Sequence, residues 1–175
     1  TVMIDIYNAL VVPHLNFVIL ASGDTNRSLL KRLEILQKKC LRTVANSRYN
    51  SHSEPLFIKY RLLKLHDIFR INCCKLYYRT KCNTLPEYHT SKLPSIESFL
   101  PRTNRRSHNI YIYPIRNNLE KQFINYKIGY QWNNLPDNLK TTVYTSVKSF
   151  AKKLKSHLIN SYNQHCSVRN CLSCR

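Results

Sequence analysis

His165, Cys166, Cys171 and Cys174 fall within ten positions of one another, and Cys171 and Cys174 form a Cys-x-x-Cys pair. Zinc takes four such ligands in a tetrahedron, and a Cys-x-x-Cys pair can chelate from one tight turn. Two features weigh against that site. Adjacent His165 and Cys166 seldom both reach one ion, and there is no second well-spaced pair, although His157 could substitute. A zinc-binding tail and a terminus of free thiols both stand as readings, with the spacing favouring free thiols. No other cofactor is expected.

Polymerases and nucleases hold two metal ions a few ångströms apart with clustered carboxylates. This chain has no adjacent acidic pair. Its closest acidic residues, Asp24 and Glu34 or Glu87 and Glu97, are ten positions apart. Seven histidines could serve a Cys or Ser nucleophile, but no nucleophile-elbow pattern accompanies them, so thiols and imidazoles read as packing and surface groups. Gly occurs only at Gly23 and Gly129, which removes any Gly-rich phosphate cradle and argues against sheet-rich folds with many tight turns. Neither an independent enzyme nor a small-molecule substrate is expected.

Charge is the strongest signal. Lys and Arg number 28 against 9 Asp and Glu, a net +19, and a chain this basic repels itself unless it meets a polyanion. At 43% apolar, its 175 residues can still bury a core, as one domain or two small ones. Asp5, Asn8, Pro13, His14 and Asn16 interrupt the apolar stretch from Val2 to Ala21, so a buried helix or two is expected there and no membrane span. No secretory signal precedes the seven cysteines, an odd set without framework spacing, which therefore read as reduced intracellular thiols.

Four helices are expected to position these groups. The first covers about 2–19, with Ile6, Leu10 and Leu15 apolar and Pro13 bending or ending a turn. The second, about 26–45, puts Leu29, Leu33, Leu36, Cys40 and Val44 on one face. Arg27, Lys31, Lys38 and Arg42 fall on the opposite one. A third, about 65–82, gathers Leu65, Ile68, Phe69 and Leu76, and Asn83-Thr84-Leu85-Pro86 ends it. The fourth starts at an N-cap, Ser146, and aligns Val147, Phe150, Leu154 and Leu158, with Lys148, Lys152 and Lys155 on a neighbouring flank. Pro86, Pro94 and Pro101 punctuate a connection over 84–108 that ends in Arg102, Arg105 and Arg106. Ile110 and Ile112 alternate with Tyr111 and Tyr113, as in a short strand within 109–115. The expected fold is mainly α with a small β element, arranged as 1–83, 84–108 and 109–175. The basic clusters are the expected nucleic-acid contacts. Tyr49, Tyr60, Tyr77, Tyr78, Tyr111 and Tyr113 lie near them and could stack on unpaired bases, though burial is the ordinary fate of any one tyrosine.

Ordered motifs then carry a resemblance. Leu36-Gln37-Lys38-Lys39-Cys40-Leu41-Arg42, Tyr49 through Phe57 and Leu62 through Ile68 resemble a run downstream of the polymerase core in LINE-type, jockey-like reverse transcriptases. Thr103-Asn104-Arg105-Arg106, Trp132-Asn133-Asn134-Leu135-Pro136 and the Ser146–Leu158 helix are similar to that family's later motifs, and Ile6 through Phe17 to its thumb-like region. The resemblance implies a helical thumb-like segment (1–83) and an α-rich C-terminal subdomain (109–175) of an RNA-directed DNA polymerase. Its partners would be RNA or DNA and an upstream polymerase core, in nucleus and cytoplasm. The family's Tyr-x-Asp-Asp metal site has no counterpart in the sequence, so no catalytic residue carries over. A start at Thr1 rather than Met fits a fragment. The rival expectation is a protein-interaction or scaffolding module, or an inactive remnant, in which Trp132 is a buried anchor.

Overall fold

The computed structural model describes residues 2–17, 19–22, 27–82, 84–85, 108–112, 114, 117, 121 and 123–162. Of these, 72% are helical and 1% strand, with no sheet, so the chain is mainly α. The short strand expected within 109–115 reduces, among the described residues, to a single bridge at Ile110. Spatial packing divides the chain into two units, Thr1–Phe69 with Lys155–Arg175, and Arg70–Leu154. The division 1–83, 84–108 and 109–175 follows composition along the chain, and is a different kind of partition.

The first unit begins with α1 (Val2–Ile6), a π-helical turn (Tyr7–Val11) and α2 (Val12–Phe17). Pro13 supplies no N–H and its ring crowds the preceding turn, and the widened turn just upstream absorbs that misfit. The Val12 N–H closes it on the Tyr7 carbonyl. The helical face consequently differs from the expected one: Ile6 and Leu10 are exposed, while Tyr7 is buried against Leu41, Phe57 and Leu62. A short α3 (Ile19–Ser22) precedes α4 (Arg27–Val44).

Helix α4 matches the expected span and, in part, the expected face: Cys40 and Val44 pack against the core, but the three leucines do not. Leu29, Leu33 and Leu36 are 52%, 40% and 54% exposed, whereas Gln37 and Leu41 are buried. The most buried positions of the helix, Gln37 and Leu41, lie about one residue's step (roughly 100°) from Leu36 and Cys40 of the expected face. What fixes this rotation is polar. Gln37 Nε2 donates to the Leu63 carbonyl (2.8 Å) and to Tyr7 Oη (3.3 Å), and Gln37 Oε1 accepts the Leu65 N–H (3.0 Å). Leu65 opens α6 (Leu65–Lys81), so Gln37 caps a helix 28 residues further along the chain. Between them α5 (Glu54–Lys59), with Pro55 in its first turn, buries Phe57. Tyr162 closes the unit. Its hydroxyl donates to Asp67 Oδ2 (2.5 Å) and accepts the Lys64 N–H (3.1 Å), and burial followed by the Asp67 bond pushes the phenol's pKa up.

In the second unit, α6 continues from Arg70 and packs with α7 (Ile124–Asn133), α8 (Asp137–Thr141) and α9 (Val147–Asn160). Trp132 is 1% exposed, its ring 4.5 Å from Tyr77 and 5.9 Å from Phe150, while Tyr78 stacks on Phe150 at 4.6 Å. Burial and the neighbouring Cys73 push the Cys74 thiol up to about 12, so this thiol is a packing group and not a nucleophile.

The Trp-Asn-Asn-Leu-Pro box is a structural clasp. Trp132 Nε1 donates to the His108 carbonyl (2.8 Å). The Asn133 amide pairs with both backbone groups of Ile110 (2.8 and 3.0 Å). Leu135 is buried and Pro136, with extended backbone, leads into α8. Lys140 is 4% exposed, and its Nζ donates to Asn109 Oδ1 (2.9 Å), the Asn133 carbonyl (2.9 Å) and Asp137 Oδ1 (3.4 Å). Lys140→Met keeps the stem and leaves these acceptors without a donor. The expected loss is about 2–3 kcal/mol in a urea melt. An unchanged midpoint would mean that the ammonium contributes nothing net.

Candidate nucleic-acid interface

On α4 the cationic row is shorter than the sequence suggests. Arg27 is the helix's first residue and Lys31 is exposed, but Glu34 occupies the same row between Lys31 and Lys38. Lys38 is half-buried. Arg42 is half-buried too, and its Nε donates to the Ser51 carbonyl at 2.7 Å, so part of its guanidinium is committed to holding the chain after the helix. The free end of this face is Lys31. An exposed aromatic lies beside a different cation of α4, off this row. Tyr49 is 72% exposed, and Lys39 Nζ lies 6.0 Å from its ring centroid. An exposed ring beside a cation is the arrangement on which an unpaired base stacks while its phosphate is neutralised.

On α9, Lys148, Lys152 and Lys155 are all exposed and follow one another at i, i+4 and i+7, along one flank. The buried Phe150, Leu154 and Leu158 fix that orientation, and Ser146 sets the start of the helix, its Oγ accepting the Ser149 N–H at 3.1 Å. In the first unit, Lys155 sits near Arg61, and partial desolvation followed by that guanidinium lowers its pKa. In the second, Lys153 Nζ lies 6.0 Å from the Tyr144 ring. Lys39, Arg61 and Lys153 escaped the sequence reading because they lie off the rows that helical spacing selects.

Other candidates are removed from the interface. Tyr77 and Tyr78 are buried in the second unit and cannot stack on bases. Tyr60 is half-buried beside Lys59, and Tyr111 is half-buried. Arg102, Arg105, Arg106 and Tyr113 lie outside the described residues, as do His165, Cys166, Cys171 and Cys174. Among the described residues no group of three or more His, Cys, Asp or Glu could hold a metal ion, and His157 is exposed on α9. No helix of the described residues is long and apolar enough to cross a membrane.

Cations in this protein fall into two kinds. Lys64 pairs with Glu54 at 2.9 Å and Lys140 with Asp137 at 3.4 Å, both in structural roles. Lys31, Lys38, Arg42, Lys148, Lys152 and Lys155 pair with no carboxylate among the described residues. Comparison with protein-family models, curated proteins and solved structures finds no match to this chain.

Proposed function

We propose that this chain is a non-catalytic, C-terminal segment of a non-LTR retrotransposon reverse transcriptase that holds template RNA or target DNA through its basic faces. The observation that carries the reading is that Lys31, Lys38, Lys148, Lys152 and Lys155 pair with no carboxylate among the described residues, in a chain of net charge +19. Such cations gain most from a polyanion, because each phosphate that they neutralise releases a condensed counterion. The ordered motif resemblance supports the same reading and names the polymerase core encoded upstream as a partner. The proposed setting is intracellular, in nucleus and cytoplasm.

Fluorescence anisotropy against labelled RNA, duplex and nicked DNA, and heparin, over a salt series, tests this. If about five phosphates are neutralised, the log–log slope on duplex DNA is about −4 to −5, and affinity falls roughly 500-fold between about 50 and 200 mM salt. Tighter binding to structured RNA or nicked DNA than to heparin is expected. Equal, weak and salt-insensitive binding to all four would sink the proposal.

One observation favours a second reading. Leu29, Leu33 and Leu36 form an exposed apolar stripe on α4, which suits docking on another protein surface, such as the polymerase core. In that reading the chain is an interaction module or the inactive remnant of a retroelement.

A further inference from the structure

We propose that a cleft within the second unit, between the last turns of α6 and the first turn of α9, binds a phosphate ester carrying a nucleobase. The favoured source is one nucleotide of a single strand; a free nucleotide shares that chemistry. The inference rests on the reading of the chain as a nucleic-acid binder and assigns it a discrete site.

Lys75 and Arg79, one turn apart on α6, line the cleft with Lys148 of α9, and no carboxylate pairs with any of the three among the described residues. Three cations facing one space repel each other, and an anion relieves that repulsion. Lys75 registers the cost: desolvation, then the nearby Arg79, lowers its pKa, and its Nζ has one long bond, 3.3 Å to Asn72 Oδ1. The cleft also adjoins the positive end of α9, a helix of 14 residues.

Size and walls select the rest of the ligand. At about 800 Å³ the space lies within the roughly 300–1,000 Å³ typical of ligand pockets and far exceeds a lone phosphate. Leu85, Val147 and Ala151 supply the apolar part of its wall, and Thr84 and Ser146 also line the cleft. A base and sugar fit that wall with the phosphate at Lys75 and Arg79. Duplex stacking hides the base faces, so a single strand is the form that can enter. An acidic peptide offers anions but no flat apolar ring.

The test is lysine acylation footprinting of the full chain, read by mass spectrometry, alongside anisotropy with labelled dT12 and duplex DNA. Probes are dT12, adenosine monophosphate, inorganic phosphate and polyglutamate, with exposed Lys59 as reference. Protection of Lys75 and Lys148 by dT12 but not by phosphate is expected. Protection by the mononucleotide as well would identify free nucleotides as a second source. The Lys75→Gln/Arg79→Gln variant should weaken dT12 binding by at least roughly ten- to a hundredfold, the range for loss of even one of the two charged hydrogen bonds, and duplex binding much less. Both positions are at most half-buried and Gln is a good helix former; Lys148→Gln gives the same reading if the double variant misfolds. Strong dT12 binding with no protection at Lys75 overturns the cleft and leaves the interface standing. Protection by polyglutamate in place of dT12 also overturns it. Absence of any nucleic-acid binding overturns both.

Discussion

Trp132→Ala is expected to destabilise the second unit by about 3–5 kcal/mol, enough to unfold a marginal domain. The indole is 1% exposed and is held between Tyr77 and Phe150, so truncation opens a cavity that neither ring can fill without leaving its own neighbours. It also leaves the His108 carbonyl without its donor. Trp132→Phe separates the two losses, since it keeps most of the ring volume and forfeits the hydrogen bond, at about 1–3 kcal/mol. Because Trp132 is the only tryptophan, the melts must be followed by circular dichroism rather than by its fluorescence. Nucleic-acid binding should disappear in step with the fold. Lost binding in an intact fold would instead put the indole at the contact surface.

Long helices were legible because several local signals agreed. For α4, α6 and α9, apolar periodicity, a Ser146 cap and the stop at 83–86 point to nearly the same ends that the structure has. Rotation was less legible. The leucine stripe of α4 is the obvious core face, yet Gln37 rather than Leu36 points inward, because the unpaired backbone groups at the start of α6 need an amide opposite them. A pattern rule ranks glutamine as surface, and it has no view of what will lie across the gap. Lys140 escapes for the same reason. At the interface, net charge was plain from composition, but which lysines are committed was not. Lys64 and Lys31 look alike until the chain brings Glu54 to one and, among the described residues, no carboxylate to the other. The short helices around Trp132 were missed because each is too brief to show a period, and their stability comes from the clasp that Asn133 and Lys140 build.

Gln37→Ala is the second large expected effect, about 2–4 kcal/mol, since a single amide satisfies three groups from two other parts of the first unit. Removing it strands the Leu65 N–H at the first turn of α6 and the Leu63 carbonyl, and it deprives Tyr7 of its partner in the core. A urea melt of the variant should show the loss, with weaker protection from amide exchange at Leu65. Gln37→Glu sharpens the assignment. An ionised carboxylate can still accept from Leu65 but cannot donate to Leu63, so burial and the opposing carbonyl should raise its pKa above the unfolded value of about 4.3. With a raised folded pKa, the carboxyl's contribution is fully present below the unfolded pKa and is lost as pH rises through the folded one. Measured against the wild type at each pH, the Glu variant should therefore lose its deficit on acidification. A deficit that stays constant with pH would show that the donor to Leu63 is not what holds α4 in its rotation, and that shape alone sets it.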